Sequence, residues 1–282
     1  MVYVFVAGVL WGTIGIFVNT MAALGADASQ ICTLRMSFAF AIMSVIAIIR
    51  FGKSAWLRDT KAILLCAMLG LISHGVFNIC YTASIRINGM GIACVLMYTA
   101  PVFTAIASRI FFHERFSPMK ILALLVNIAG CILTVTGGEI SAESLNWTGI
   151  IAGLGSGFCY GMAAVLGRAA GKRADPMIVS AYSYFFAALF LLCVLRPALS
   201  VNAKILGAGF LYGLVPTSIA YVVYYIGLGK VRDTGKVPVI ASIEPVTAIA
   251  IGAALYGERI GAVNFTGIAV VLISIMMMVK SE

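Results

Sequence analysis

Charged side chains are scarce in this chain. Asp, Glu, Lys and Arg make up 10% of its 282 residues, whereas a water-soluble domain carries about 25%. That shortage excludes an ordinary soluble fold. Catalytic signatures are missing too. The stretch "FHERF" is not H-E-x-x-H, no G-x-S-x-G occurs, and no aspartate pair lies inside an apolar run, so no catalytic residues are expected. No G-x-x-x-x-G-K-[ST] loop occurs either, which removes nucleotide hydrolysis as an energy source. The seven cysteines (Cys32, Cys66, Cys80, Cys94, Cys131, Cys159, Cys193) are odd in number, form no C-x-x-C pair and all sit in apolar runs. A disulfide framework and a zinc site are therefore not expected, nor is any other metal or cofactor. Small polarizable core residues are what remains.

What fills the chain instead is apolar sequence, at 62%. Runs long enough to span a bilayer recur along its whole length. A net charge of +9 would suggest nucleic acid in a soluble protein. Here Lys and Arg sit in short gaps between apolar runs, so the expected partner is the lipid bilayer and not nucleic acid. The start, Met1-Val2-Tyr3-Val4, has no basic n-region, so the first run reads as a retained helix. The punctuation predicts an all-α membrane protein with ten transmembrane helices, at 2–24, 29–49, 62–84, 91–111, 117–137, 147–167, 176–195, 204–226, 237–256 and 261–279. Alternate loops divide the basic residues fourteen to four, with only Arg35 left inside a span. That bias predicts both termini in the cytoplasm, which the even number of helices also requires, and a multi-pass protein of the cell's inner (plasma) membrane. The segment Glu139–Glu143 then lies outside.

The two halves of the chain repeat each other. Shifted by 144 residues, Tyr81 to Arg115 falls on Tyr225 to Arg259 without a gap, matching at Tyr81/Tyr225, Gly91/Gly235, Val95/Val239, Pro101/Pro245, Val102/Val246, Glu114/Glu258 and Arg115/Arg259. The polar and proline matches, P-x12-E-R in each half, weigh more than the apolar ones. Ala26-Asp27 and Ala174-Asp175 each precede a second helix, where Asp suits a helix N-terminus. The reading is one five-helix unit over 1–137, an extracytoplasmic linker over 138–146 and a second unit over 147–282. Five is odd, so the units enter the membrane from opposite sides: they are inverted repeats, a design that serves alternating access.

With these residues in place the chain resembles a known family. "WGTIGIFVNT" in the first helix, "TLRMSFAFA" in the second, "PVFTAIASRIFFHER" and "EPVTAIAIGAALYGER" look like the EamA-type branch of the drug/metabolite transporter superfamily. The resemblance covers essentially the whole chain. It implies export of small organic metabolites, including amino acids, with quaternary amines carried by some relatives. It also implies a central cavity lined mainly by helices 1, 3, 4, 6, 8 and 9. Fold membership alone does not name a cargo.

Individual residues offer candidates for that cavity. Glu244 is the only acid well inside a span, where an unpaired carboxylate is costly and faces a cavity or a partner. It binds a solute or a proton, or it caps the backbone broken by Pro245; its equivalent is Ala100. Arg35, whose equivalent is Ser183, binds a substrate carboxylate or ties helices together. The two lie about 10 Å apart in depth at about 1.5 Å per residue, which allows an ion pair without requiring one. His74, Asn78 and Tyr81 form one polar stripe, and Ser218, Tyr221 and Tyr225 a second at related positions. Such stripes line a wet path or join helices by hydrogen bonds. His74 is also a candidate for carrying a coupling proton. Trp11 and Tyr98, near mid-membrane, either pack or hold an apolar or cationic group. Glu114, Arg115, Glu258 and Arg259 read as helix-end caps or gate-side ion pairs, Pro101 and Pro245 as structural breaks, and Gly70, Gly75, Gly91 and Gly235 as close helix contacts.

The function expected is a secondary transporter of small organic solutes, an exporter of amino acids. A zwitterion suits a cavity with Arg35 toward one end and Glu244 toward the other. The alternative cargo is a quaternary or cationic amine such as a choline-like solute, held by Glu244 with Trp11, Tyr98 and Tyr221. Protons are the candidate coupling ion. A scaffold would need neither an inverted repeat nor a buried glutamate.

Overall fold

The structure, a computed structural model, describes residues 1–115, 117–138, 146–198, 201–257 and 260–280. These residues are helical with short connections, and ten helices are long and apolar enough to cross a membrane. They are α1 (Val2–Ala23), α2 (Ala28–Ala55), α3 (Thr60–Asn88), α4 (Met90–Phe112), α5 (Pro118–Thr136), α6 (Trp147–Gly171), α7 (Pro176–Leu195), α8 (Ala203–Lys230), α9 (Thr234–Tyr256) and α10 (Ala262–Lys280). A helix satisfies its own backbone polar groups, which hydrocarbon requires. The protein is a multi-pass membrane protein.

Capping residues set several boundaries. Asp27 accepts from the Gln30 N–H at 2.9 Å while Gln30 Oε1 accepts from the Asp27 N–H at 3.0 Å, a reciprocal box at the start of α2. Asp175 does the same service for α7 through the Met177 N–H at 2.9 Å. The turn from α3 to α4 is shorter than the apolar pattern suggests. Gly89, at φ +84, takes a backbone shape that a Cβ disfavours. One residue therefore separates the two helices.

Five of the ten spans are discontinuous. α1 is interrupted at Thr13, whose hydroxyl donates to the Leu10 carbonyl at 2.7 Å. α4 breaks between Met97 and Ala100, just before Pro101, and α9 breaks at Ser242, just before Pro245. Proline supplies no N–H to the preceding turn. α3 and α8 each carry a π-helical stretch, Leu69–Val76 and Leu214–Ile219, geometry that recurs at functional sites.

The packing pairs α5 with α10 and α2 with α7, while α1 lies on α8 and α9, and α6 lies on α3 and α4. Glycines permit the closest of these approaches. A Cβ on Gly12 would sit 2.9 Å from the Glu244 carbonyl oxygen, and one on Gly157 would sit 2.8 Å from the Leu96 carbonyl oxygen. The first helix of each half thus runs against the broken helix of the other.

Candidate functional site

The breaks in α4 and α9 meet in the middle of the bundle. Tyr98, Pro101, Tyr160, Pro238, Ala241, Ser242 and Glu244 line a small pocket there, with a cavity volume of about 10 Å³. Glu244 projects from the first turn of the second segment of α9, and its Oε2 accepts a hydrogen bond from the Tyr160 hydroxyl at 2.9 Å. Ser242, at the break itself, donates to Asn127 Oδ1 at 3.0 Å and to the Pro238 carbonyl at 2.9 Å, so the discontinuity is internally satisfied.

An aromatic cluster adjoins this pocket. The Trp11 ring lies 4.9 Å from Tyr221, 5.0 Å from Tyr224 and 6.2 Å from Tyr160. His74, on the π-helical stretch of α3, meets Tyr221 edge-on at 4.8 Å and Tyr184 at 5.4 Å. Tyr225 lies 5.8 Å from Tyr221. Three buried polar atoms of this cluster, Trp11 Nε1, His74 Nε2 and the Tyr225 hydroxyl, have no hydrogen-bond partner among the described residues. Buried donors and acceptors are normally paired, and orphans in a cluster mark a place where a ligand or water completes the set.

Arg35 sits on the other side of Tyr221. It is 7% exposed, its Nε donates to Thr217 Oγ1 at 2.9 Å, its Nη1 donates to the Tyr212 hydroxyl at 3.3 Å, and its Cζ lies 4.9 Å over the Tyr212 ring. All of these partners are neutral. Among the described residues no carboxylate stands within ion-pair distance of Arg35. Arg35 and Glu244 are within electrostatic reach of each other, and Tyr221 of both. They do not form the direct pair that their depth allows.

The polar stripes resolve into several arrangements. Asn78 Nδ2 donates to the His74 carbonyl and its Oδ1 accepts from Cys32 Sγ at 3.3 Å, so this amide is occupied by the protein. The Tyr81 hydroxyl contacts Cys94 Sγ at 2.9 Å and its ring stacks on Phe77 at 5.6 Å. Ser218 donates to the Gly213 carbonyl at 2.8 Å within the π-helical stretch of α8.

Glu114 follows the end of α4, away from the pocket, and its side-chain partner is Arg168 of α6, not the neighbouring Arg115, which is exposed. Burial disfavours the Glu114 carboxylate, but hydrogen bonds from Asp233 and from the Thr234 and Gly235 N–H groups prevail and hold its pKa below the usual carboxylate value. Burial and the hydrogen bond to Glu114 raise that of Asp233, against the pull of Lys120. Glu258 and Arg259 lie outside the described residues.

Reading the sequence alone missed Tyr160, Tyr224, Tyr212, Thr217 and Arg168. The run "YVVYY" around Tyr224 carries a tyrosine excess that points to α8. Tyr160 has no such signal, since its equivalent in the first half is Gly12 and the repeat does not mark it.

Comparison with known proteins places this geometry in context. A model of the EamA-like transporter family matches residues 1–136 and again 147–280. An uncharacterized transporter of Archaeoglobus fulgidus is 27% identical over 270 residues, 96% of this chain and 92% of that one. The threonine/homoserine exporter RhtA of Salmonella typhimurium is 25% identical over 242 residues, 83% of this chain and 77% of that one. One solved crystal structure superposes with a TM-score of 0.83 at 17% identity, covering 100% of this chain and 98% of the other. That likeness concerns the fold alone.

Proposed function

We infer from membership of the EamA-like transporter family, to which this chain belongs, that it exports amino acids by alternating access. The observation that carries the cargo class is a pair of buried, opposite charges, each held by neutral side chains of the aromatic region and neither ion-paired among the described residues. Arg35 has donors but no carboxylate partner among the described residues, and Glu244 has a single tyrosine donor. A buried, uncompensated charge in a membrane is expensive and marks a substrate path. An amino-acid zwitterion supplies both missing partners: a carboxylate for the Arg35 fork and an ammonium for Glu244. Tyr160 then orients the Glu244 carboxylate, and the rings of Trp11 and Tyr221 pack against the solute between the charges. Similarity to the threonine/homoserine exporter from Salmonella supports the same cargo and direction.

The mechanism proposed follows from the two halves. Residues 1–137 and 147–282 act as inverted five-helix units joined by the segment 138–146, with both termini in the cytoplasm of a cell whose inner membrane holds the protein. Reciprocal packing of α1 on α9 and of α6 on α4 supports that symmetry. The central pocket has a cavity volume of about 10 Å³, room for about one water and far below the ~300–1,000 Å³ of ordinary ligand sites. Loading a solute therefore requires the halves to move apart on one face. A gradient drives the cycle. Glu244 is the group assigned to a coupling proton, ahead of His74, because it lines the pocket directly.

Counterflow in proteoliposomes tests the cargo. Vesicles loaded with threonine should accumulate labelled neutral amino acids and ignore choline. Glu244→Gln should lower the rate about tenfold or more, the equivalent of roughly 1.4 kcal/mol, with the melting temperature unchanged. The aromatic cluster beside a carboxylate also suits a quaternary amine. Exchange of choline without amino acids would install that alternative. Normal transport by Glu244→Gln with an unchanged pH profile would reduce Glu244 to a structural cap.

A further inference from the structure

Among the described residues, one end of the bundle is tied by charges and the other is not. At the end rich in Lys and Arg, Glu114 Oε1 accepts from the Thr234 N–H at 2.8 Å and Oε2 from the Gly235 N–H at 3.2 Å. Arg168 donates to the same carboxylate, and also to the Arg232 carbonyl at 3.0 Å. Lys120, at the start of α5, donates to Asp233 at 2.7 Å. Helices α4, α5 and α6 are thereby bound to the short connection between α8 and α9. The residues that open α9 are buried, Thr234 at 0% exposure, while Arg232 in the connection itself is exposed.

The connection between α3 and α4 occupies the corresponding place at the opposite end, since Met90 and Gly91 fall on Thr234 and Gly235 under the 144-residue shift. It is open. Met90 is 64% exposed, and a Cβ added to Gly89 or Gly91 would meet nothing within 4 Å. Deeper in, Tyr225 is buried while its equivalent Tyr81 is only half-buried. Among the described residues, which do not include Glu258 and Arg259, the charges are one-sided as well. Asn264 stands where Lys120 would be after the 144-residue shift, and Thr20 stands where Arg168 would be after a shift of 148, the offset of the early helices. Asn264 donates to the Thr134 carbonyl at 2.9 Å and Thr20 to the Ile16 carbonyl at 2.7 Å, and neither contact is with the α3–α4 connection.

We propose that Glu114, seated on the Thr234 and Gly235 N–H groups and clamped by Arg168, is an ionic latch that closes the cytoplasmic face and biases the empty carrier toward its outward-open state. This rests on the inverted-repeat reading above. A carboxylate held by two backbone N–H groups and a guanidinium is a strong, charge-assisted arrangement. Glu114 and Arg168 side chains are 10% and 17% exposed, so salt screens their attraction less than it would a surface pair. Two halves without a latch would favour neither face by this means. The latch adds its energy to one face only, and opening that face must break it first.

Hydrogen–deuterium exchange of the purified, solute-free protein tests this without reference to cargo. In the native chain, peptides covering 231–236 should exchange slowly and those covering 87–92 quickly. Glu114→Ala should raise exchange at 231–236 about tenfold or more and slow it at 87–92, because releasing one face lets the other close. The milder Arg168→Lys should shift both in the same directions by less. A merely structural ion pair would loosen 231–236 and leave 87–92 untouched in both variants. That outcome would overturn the latch and leave the cargo reading to its own counterflow test.

Discussion

Single side chains do two distinct jobs in this protein, and the sequence reveals them unequally. Asp27 is the plainer kind. Its carboxylate is held below the usual value by the Ser29 hydroxyl first and the Gln30 N–H next, against a smaller effect of burial. A depressed carboxylate gives stability that is present above about pH 4, the ordinary value, and lost as pH falls through the lower folded value. Asp27→Ala should therefore lower stability by about 1 kcal/mol, seen as a reduced melting temperature near neutral pH, and the deficit should shrink toward pH 3. A deficit constant across that range would mean the cap does not act through its charge. An acid before an apolar run announces such a cap directly. Glu244 was legible for a similar reason, as the one acid well inside a span. Tyr160, which holds it, was not, because a tyrosine in an apolar run is ordinary and only three dimensions bring it from α6 to α9.

Elements carry the features that hydropathy does not encode. A π-helical turn inserts a residue without changing the apolar character of the run, so α3 and α8 read as uninterrupted spans from composition. The stretches nonetheless fall at related places in the two halves, Leu69–Val76 and Leu214–Ile219. In α8 the altered turn is used: Thr217 Oγ1 donates to the Tyr212 carbonyl five residues back at 2.9 Å and accepts from Arg35 Nε at 2.9 Å, while the Tyr184 hydroxyl donates to the Thr217 carbonyl at 3.2 Å. The irregular stretch is thus the platform on which the buried guanidinium rests. Thr217→Val preserves shape but leaves one guanidinium N–H without its acceptor, at a cost of about 1.5–3 kcal/mol for a hydrogen bond to a charged group. Thr217→Ser should lose far less. Thermal unfolding of the two purified variants measures the difference, and a larger loss in Thr217→Ser than in Thr217→Val would show that Thr217 acts through its methyl group.

The whole molecule was the most legible scale, because length and hydropathy fix the number of spans and parity follows from counting. Ten helices were expected and ten are present among the described residues. What counting did not reveal is how short the connections are, since a lone Gly89 turns α3 into α4. Orientation rests on charge alone: fourteen Lys and Arg at one end against four at the other. Arginine and lysine resist translocation, and on that ground we propose that the crowded end stays in the cytoplasm. Two exposed lysines mark the ends, Lys172 just beyond α6 at the crowded one and Lys204 at the start of α8 on the other. In intact cells, and in a background without the native cysteines, Lys204→Cys should react with a membrane-impermeant maleimide. Lys172→Cys should react only after permeabilisation. The face that the latch closes depends on this result in sign, because the tied face is the Lys172 face. If Lys172→Cys alone were labelled from outside, the orientation would reverse, and the structure would be closed toward the exterior instead.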